Sequence, residues 1–255
     1  MLLTDTHTHL YYETDKEKQG ELMKRCLDNQ IGRLFLPNVD LDSVSKIDQL
    51  VSLYPENCFA MSGLHPCDVK PGYEFVLDQL YAGISGRNIC AIGEIGIDLY
   101  WDKTTLDIQR DAFLKQIGWA KELGLPIVIH CREAFDEVFD VLEAERGPEL
   151  RGILHCFTGD LEQAKRTIDL GFYLGIGGVV TYKKAGLDAV LEGISPEHLV
   201  LETDSPYLAP VPFRGKPNES SYLIHIAQRV ADIYQLSVEE IARITTENSI
   251  KIFNR

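Results

Sequence analysis

The segment Leu2-Leu3-Thr4-Asp5-Thr6-His7-Thr8-His9 combines a short apolar strand with two closely spaced histidines. Because the side chains of a strand alternate between its two faces, His7 and His9 point in the same direction. Neutral imidazoles bind zinc, iron, nickel and similar ions, so two of them at the end of a strand can form half of a metal site. Two surface histidines near a terminus are the alternative interpretation, and the rest of the chain decides between them.

Short apolar segments recur along the chain, and each is followed by a stretch with helical spacing of its apolar residues. Nearly all-apolar strands are typical of a parallel sheet that is buried on both faces. Eight strand–helix repeats in 255 residues predict a (β/α)8 TIM barrel with extra C-terminal helices, and a doubly wound open sheet is the alternative. The sequence contains no linker or composition break, which predicts a single domain over residues 1–255. After the opening strand, the predicted strands are 33–39, 58–63, 89–94, 126–130, 152–155, 172–176 and 199–204, and the predicted helices are 17–29, 43–53, 73–82, 104–123, 134–145, 161–170, 187–191, 220–235 and 237–248.

Charge and cysteine usage limit the class of function. The chain has 39 acidic and 25 basic residues, for a formal net charge of −14. This balance argues against a protein that coats long nucleic acid, which needs a basic surface, but not against an enzyme that grips one phosphodiester through bound metal ions. The six cysteines contain no C-x-x-C pair, and no signal peptide or membrane-spanning run is present in the sequence. We therefore expect a soluble, cytoplasmic protein with reduced thiols, no membrane association and no obligate protein partner.

Six polar side chains interrupt the apolar strands at their predicted carboxyl ends. In barrel enzymes the active site is built at this face from the ends of several strands. A single histidine at a strand end is more often a hydrogen-bonded core residue than a ligand, but six such residues at one rim indicate a site. Four imidazoles and two carboxylates exceed the needs of one tetrahedral ion, and two divalent ions bridged by one carboxylate would use all six. The six predicted metal ligands are His7, His9, Glu94, His130, His155 and Asp204.

The two carboxylates are the predicted catalytic residues. Glu94, from the middle of the barrel, is the expected bridge, and Asp204 is expected to touch a metal and to accept the proton of a bound water. Because water bound to such an ion becomes hydroxide near neutral pH, the site is predicted to be hydrolytic. Mixed imidazole and carboxylate ligands suit zinc, manganese and nickel, and magnesium less well, so the sequence leaves the ion open.

Two further residues are candidates for contact with substrate. His65 follows the third predicted strand at the same rim, where it could bind substrate or cap the turn before Pro66. Glu202 lies two residues before Asp204 and is expected to face inward with it. It could contact substrate or support the site, and an interior carboxylate paired with a lysine or arginine is the alternative.

Six segments, taken together, resemble the TatD family of metal-dependent deoxyribonucleases, which belongs to the amidohydrolase-like barrels. The match runs through the whole chain in order, and the set of segments is highly specific. The resemblance implies dependence on divalent metal and hydrolysis of DNA phosphodiester bonds, often exonucleolytic, and it carries the six residues above over as metal ligands. The segments are Thr6-His7-Thr8-His9-Leu10, Gly63-Leu64-His65-Pro66, Gly93-Glu94-Ile95-Gly96-Ile97-Asp98, Ile129-His130-Cys131-Arg132, His155-Cys156-Phe157-Thr158-Gly159 and Glu202-Thr203-Asp204-Ser205-Pro206.

The segment Phe213-Arg214-Gly215-Lys216-Pro217-Asn218-Glu219 also resembles a motif of that family, in the loop after the eighth strand. Arg214 and Lys216 beside an anionic rim are good partners for phosphate, and a solvated basic loop is the alternative. The family commonly continues with proline, whereas Ser220 and Ser221 follow here.

The sequence is compatible with three functions. The first is hydrolysis of DNA by a metal-bound hydroxide with Asp204 as general base; the acidic surface favours DNA ends or single strands as substrate. The second is hydrolysis of an amide, lactone or phosphotriester of a small molecule. Many barrels of that type use a carboxylated lysine as the bridge, whereas the fourth strand here offers Glu94. The third is a non-catalytic metal-binding or scaffold protein, in which a degraded site is expected.

Overall fold

The computed structural model describes residues 2–255. Its eight strands form one sheet in which each strand is the neighbour of the next in the chain, and all pairs are parallel. This order confirms the predicted (β/α)8 barrel and excludes a doubly wound sheet, in which the strand order reverses. The strands are β1 (Leu3–Asp5), β2 (Ile31–Leu36), β3 (Cys58–Ser62), β4 (Ala91–Asp98), β5 (Ile127–Arg132), β6 (Gly152–Leu154), β7 (Phe172–Ile176) and β8 (Leu199–Leu201).

Helices connect the strands, and two more follow β8. The last one begins at a capping box formed by Ser237 and Glu240, as the sequence predicts, but continues to Phe253. Phe253 stacks on Phe35 of β2 with ring centroids 4.1 Å apart, which covers the amino-terminal end of the barrel. None of the helices within residues 2–255 has the length and apolar composition needed to cross a membrane. The helices are α1 (Lys16–Asp28), α2 (Leu41–Leu53), α3 (Tyr73–Ile84), α4 (Leu106–Leu123), α5 (Phe135–Ala144), α6 (Leu161–Asp169), α7 (Leu187–Glu192), α8 (Leu223–Tyr234) and α9 (Val238–Phe253).

The residues after β1 and β8 close the barrel. The backbone N–H of Asp204 donates to the carbonyl of His7 (2.9 Å), and that of His9 donates to the carbonyl of Ser205 (2.8 Å). Thr8 and Ser205 also form an isolated parallel bridge. The segment that carries the two histidines therefore lies directly beside the segment that carries Asp204, at the carboxyl rim of the sheet.

Several predicted strand ends are wrong, and the two largest differences at the carboxyl rim that involve candidate site residues are those of β4 and β8. Strand β4 continues to Asp98, so Glu94 lies in the middle of the strand and not at its end. Strand β8 ends at Leu201, three residues before Asp204, which adopts a left-handed backbone conformation (φ 54°) that extended strands do not allow. Although β4 continues beyond Glu94 and β8 ends before Asp204, both carboxylates lie at the same rim.

Candidate active site

A cavity of about 710 Å³ opens at the carboxyl ends of the strands. This volume is typical of sites that take small ligands or a short segment of a polymer. Two of the predicted site carboxylates and four imidazoles line it, and His7 lies fully buried against them. The lining side chains among the candidates are His9, His65, Glu94, His130, His155 and Asp204.

Glu94 stands at the centre of this cluster. Its Oε2 atom is 3.2 Å from Nε2 of His7 and 3.8 Å from Nε2 of His9. Its Oε1 atom is 2.8 Å from Nδ1 of His130 and 2.8 Å from Nε2 of His155. The two oxygens of one carboxylate thus face two different pairs of imidazoles.

A local irregularity in the sheet aims Glu94 at the histidines. The register between β4 and β5 shifts between Gly93 and Ile95, so Glu94 has no partner in the ladder. Such bulges redirect a side chain and are common next to active sites. Asn38 after β2 holds the bulge through its backbone, donating to the carbonyl of Gly93 (2.9 Å) and accepting from the N–H of Glu94 (2.9 Å). Sequence reasoning assigned no role to Asn38.

Asp204 approaches the same cluster from β8. Its Oδ1 atom is 3.7 Å from Nε2 of His7 and 3.5 Å from Nε2 of His9. Burial by itself raises the pKa of Asp204, but the close contact with His9 and the charges of His7 and His155 hold the pKa below its usual range. Burial also opposes ionisation of Glu94, and the charges of the surrounding histidines, His155 first, keep the pKa of this carboxyl well below normal. Both carboxylates are therefore ionised at neutral pH.

Tyr11 fixes the tautomer of His9. The Tyr11 hydroxyl donates to the carbonyl of Pro37 (2.7 Å), so its oxygen accepts from Nδ1 of His9, 2.8 Å away. With the proton on Nδ1, the lone pair of Nε2 points toward Asp204 and Glu94. A hydrogen bond on the far nitrogen is how proteins orient a metal-ligating imidazole. Sequence reasoning did not single out Tyr11.

The change Tyr11→Phe tests this arrangement. Without the hydroxyl, the His9 ring loses its acceptor and can rotate or change tautomer, so we expect metal affinity and activity to fall by roughly 10- to 100-fold. Metal titration of the stripped protein and steady-state kinetics would measure both. Tyr54→Phe is the matched control, because Tyr54 packs against the core outside the cavity. Unchanged metal affinity in Tyr11→Phe would contradict the proposed role.

Asp98 supports His130 from the opposite side. Its Oδ2 atom is 2.8 Å from Nε2 of His130, whose other nitrogen, Nδ1, faces Glu94. Burial by itself raises the pKa of Asp98, but the hydrogen bond and charge of His130 lower it to about 2. Sequence reasoning missed Asp98, although it lies four residues after Glu94 in β4, and alternation along a strand places two such residues on one face.

Glu202 is buried behind His155 and does not reach the cavity wall. Its Oε1 atom accepts a hydrogen bond from the backbone N–H of Cys156 and lies 3.5 Å from Nδ1 of His155. The side chain turns toward Gly175 of β7 and is fully buried, which favours the alternative that Glu202 supports the site, and its contact with substrate stays a prediction. Burial lowers the pKa of His155, but the carboxylates of Glu94 and Glu202 outweigh this and raise it well above normal.

Gly175 leaves the space that Glu202 occupies. A Cβ at position 175 would lie 2.3 Å from Oε2 of Glu202 and 3.0 Å from Cα of His155. Because neither group can retreat, we expect Gly175→Ala to lower the free energy of unfolding by about 1–3 kcal/mol and to reduce activity by displacing His155. Urea unfolding measures the first effect. Gly118→Ala, at an exposed helical position with no atom within 4 Å of the added carbon, should instead be neutral or stabilising; equal behaviour of the two variants would contradict the argument.

His65 joins the cluster through a defined tautomer. Its Nδ1 atom accepts from the backbone N–H of Cys67 (3.1 Å), which starts the short 3-10 turn at Pro66. The proton therefore resides on Nε2, which lies 3.3 Å from Oε1 of Glu94. An N–H at this position can donate to an anion. Contact with substrate stays a prediction for His65, which also caps the turn.

Arg214 and Lys216 are exposed in the loop after β8 and do not line the cavity within the described part of the chain. The Arg214 guanidinium lies over the ring of Tyr182, 4.3 Å from its centroid. Asn218 fixes this loop by donating from its side chain to the carbonyls of Thr203 (2.8 Å) and Tyr207 (2.6 Å). Arg214 and Lys216 therefore lie outside the cavity lining, and phosphate binding by these two residues stays a prediction.

The cluster has the donor set of a divalent metal site. Three overlapping groups place their potential ligand atoms within 4.8 Å of one another. Among residues 2–255, Nε2 of the buried His7 has no hydrogen-bond partner, and buried polar atoms normally have one. A cation between His7 and the carboxylates would satisfy that atom. The groups are His7–His9–Glu94, His7–His155–Asp204 and His65–Glu94–His130.

Comparisons with known proteins agree with this geometry. A family model described as "TatD related DNase" matches residues 4–254. The chain is 38% identical over 256 residues to the metal-dependent hydrolase YabD of Bacillus subtilis, covering 99% of each protein, and 29% identical over 252 residues to the "3'-5' ssDNA/RNA exonuclease TatD" of Pectobacterium parmentieri, covering 96% of each. The crystal structure of YjjV, a TatD homologue from Escherichia coli K12, superposes with a TM-score of 0.93 at 27% identity, covering 99% of this chain and 98% of that one. The chain therefore belongs to the TatD family of metal-dependent hydrolases.

Proposed function

We propose that the protein is a divalent-metal-dependent deoxyribonuclease that hydrolyses phosphodiester bonds at the ends of single-stranded DNA. The observation that carries this proposal is that the two oxygens of Glu94 face different pairs of imidazoles, beside the ionised Asp204. The description of the matching family model and the name of the Pectobacterium relative support nucleic acid as the substrate class.

In this proposal the ligand set divides into two halves that share Glu94. His7 and His9 would hold one ion together with Glu94, and His130 and His155 would hold a second ion together with the same carboxylate. The support of His9 by Tyr11 and of His130 by Asp98 suits this division, because each leaves the inward nitrogen free of a proton. Divalent ions held there would neutralise charge on a phosphodiester and acidify a water molecule.

The side chains of the chain itself position the substrate and move the proton. Asp204, ionised at neutral pH, accepts the proton of the attacking water as general base. His65 donates from Nε2 to a non-bridging oxygen of the phosphate as negative charge accumulates there. Proton acceptance and anion stabilisation are thus divided between two side chains at the rim of one cavity.

The cavity favours chain ends over long duplex. Its volume, about 710 Å³, is that of a small-ligand site, and Arg132 is the one lysine or arginine that lines it within residues 2–255. The formal charge of −14 also opposes a long contact with a polyanion. We infer that a short single-stranded end enters the cavity.

Hydrolases of this barrel type that act on small molecules differ in the residue that bridges the two metal ions. Many of them use a carboxylated lysine, whereas no lysine lines the cavity in the part of the chain that the structure describes. The bridging position is occupied by Glu94, which favours the nuclease. A non-catalytic protein is disfavoured because the residues of both halves are present and oriented.

The proposal is tested with metal-stripped protein and end-labelled single-stranded and duplex DNA, restoring one divalent metal at a time. We expect a metal-dependent ladder that shortens from one end and forms faster on single strands. A panel of amide, lactone and phosphotriester substrates serves as the counter-test. Hydrolysis in that panel with intact DNA under every metal would overturn the nuclease assignment.

A further inference from the structure

The rim of the cavity after β4 carries exposed aromatic side chains. Trp101 is 73% exposed and Tyr100 is 48% exposed, although such rings usually bury most of their surface. Trp101 lines the same cavity as Glu94 and Asp204. Exposed aromatic surface at the mouth of a site indicates a binding function.

Arg132, at the end of β5, completes this surface. Its guanidinium carbon lies 3.7 Å from the centroid of the Tyr100 ring and 5.7 Å from that of Trp101. The two rings meet edge to face, with centroids 4.8 Å apart and planes at 88°. Flat aromatic rings and a guanidinium are the groups on which unpaired nucleobases stack.

The aromatic rim is held in a fixed position relative to the candidate metal site. The backbone N–H of Tyr100 donates to Oδ1 of Asp98 (2.9 Å), while Oδ2 of the same carboxylate contacts His130. The N–H of Leu99 donates to the carbonyl of Arg132 (2.9 Å), which ties the two strand ends together. One carboxylate therefore supports a candidate metal ligand and the rim at the same time, so the distance between them is preorganised.

We propose that Tyr100, Trp101 and Arg132 form a stacking platform for the nucleobase next to the scissile phosphodiester of single-stranded DNA. This inference rests on the proposed function, because the phosphodiester must lie over Glu94 for the neighbouring base to reach Trp101. Bases in a duplex are already stacked and paired, so the platform selects single strands and frayed ends. Since the acidic chain offers few cations to the backbone, stacking supplies much of the binding free energy.

The test measures binding to short fluorescein-labelled single-stranded DNA in the Asp204→Asn background, so that cleavage does not interfere. A set of oligonucleotides carries one abasic site, moved stepwise from each end. We expect an abasic site at one position near an end to weaken binding roughly 5- to 100-fold. Adding Trp101→Ala should weaken binding of intact DNA by a similar factor and abolish the dependence on the base.

Two further variants separate stacking from general effects. Trp101→Phe retains a ring and should keep most of the dependence on the base. Phe75→Ala is the matched control, because Phe75 is 68% exposed on α3 but lies outside the cavity lining. The platform is overturned if abasic and intact DNA bind the parent equally at every position, or if Trp101→Ala retains the full abasic effect.

This design distinguishes the inference from the proposed function. If the wild-type protein cleaves DNA with any metal but the binding shows no dependence on a base, the platform fails and the nuclease stands. If no metal supports cleavage while Trp101 still determines the abasic effect, the nuclease assignment fails and the platform stands as a binding site for single-stranded nucleic acid.

Discussion

Glu94→Gln is expected to lower the metal content of the purified protein and to reduce DNA hydrolysis by more than ~100-fold, since even loss of a group that only orients a ligand costs 10- to 100-fold. Both carboxylate oxygens face imidazoles, one toward His7 and His9 and the other toward His130 and His155. An amide has one neutral oxygen to offer, and its NH2 group must face one of the two pairs. One half of the site therefore loses its ligand whichever way the amide is oriented.

The measurement combines elemental analysis of metal per chain with initial rates on single-stranded DNA. Glu149→Gln, at an exposed position far from the cavity, controls for the loss of one surface charge. Circular dichroism checks that the barrel survives, because Glu94 is buried within β4. A Glu94→Gln protein that keeps full metal occupancy and the wild-type rate would contradict the proposal that this carboxylate bridges two ions.

The barrel was predictable because its signal is local and repeated. Each strand is a short apolar run, and the helix after it shows helical spacing of its apolar residues. Eight such repeats define the architecture. The six predicted ligands were found by the same logic, since a polar side chain in an apolar strand is conspicuous. The structure brings all six side chains together; metal binding by them stays a prediction.

The supporting residues were not predictable from such patterns. Tyr11 matters because its hydroxyl reaches the carbonyl of Pro37 after the neighbouring strand β2, and Asn38 matters because its backbone meets the bulge at Glu94. Neither contact follows from periodicity, because both depend on how loops and bulges settle after the barrel closes. Side-chain direction beyond a strand end is equally unspecified, which is why the sequence left the role of Glu202 open, whereas the structure places it behind His155.

Asp204→Asn is expected to lower kcat by ~10²- to 10⁴-fold, the usual contribution of a general base, while most of the metal remains bound. The amide keeps an oxygen near the cluster but cannot accept a proton. Oδ1 of Asp204 lies 3.7 Å from Nε2 of His7, whereas Glu94 lies 3.2 Å from that atom and also 2.8 Å from His130 and from His155, so we expect Glu94 to contribute more to metal binding. The two carboxylate variants should therefore differ, with Glu94→Gln losing metal and Asp204→Asn losing turnover.

The pH profile gives this prediction a second readout. Close contact with His9 and the charges of His7 and His155 hold the pKa of Asp204 below its usual range despite burial, so the base is ionised at every pH above that range. At pH values above that range, ionisation of Asp204 should not make wild-type kcat depend on pH. The kcat of Asp204→Asn should instead rise with increasing pH, as hydroxide replaces the missing base. Asp140→Asn, at an exposed position on α5, is the control for loss of one carboxylate. If Asp204→Asn instead loses metal in parallel with activity and gains nothing at high pH, Asp204 acts as a ligand alone, and the proton must pass to another group at the rim.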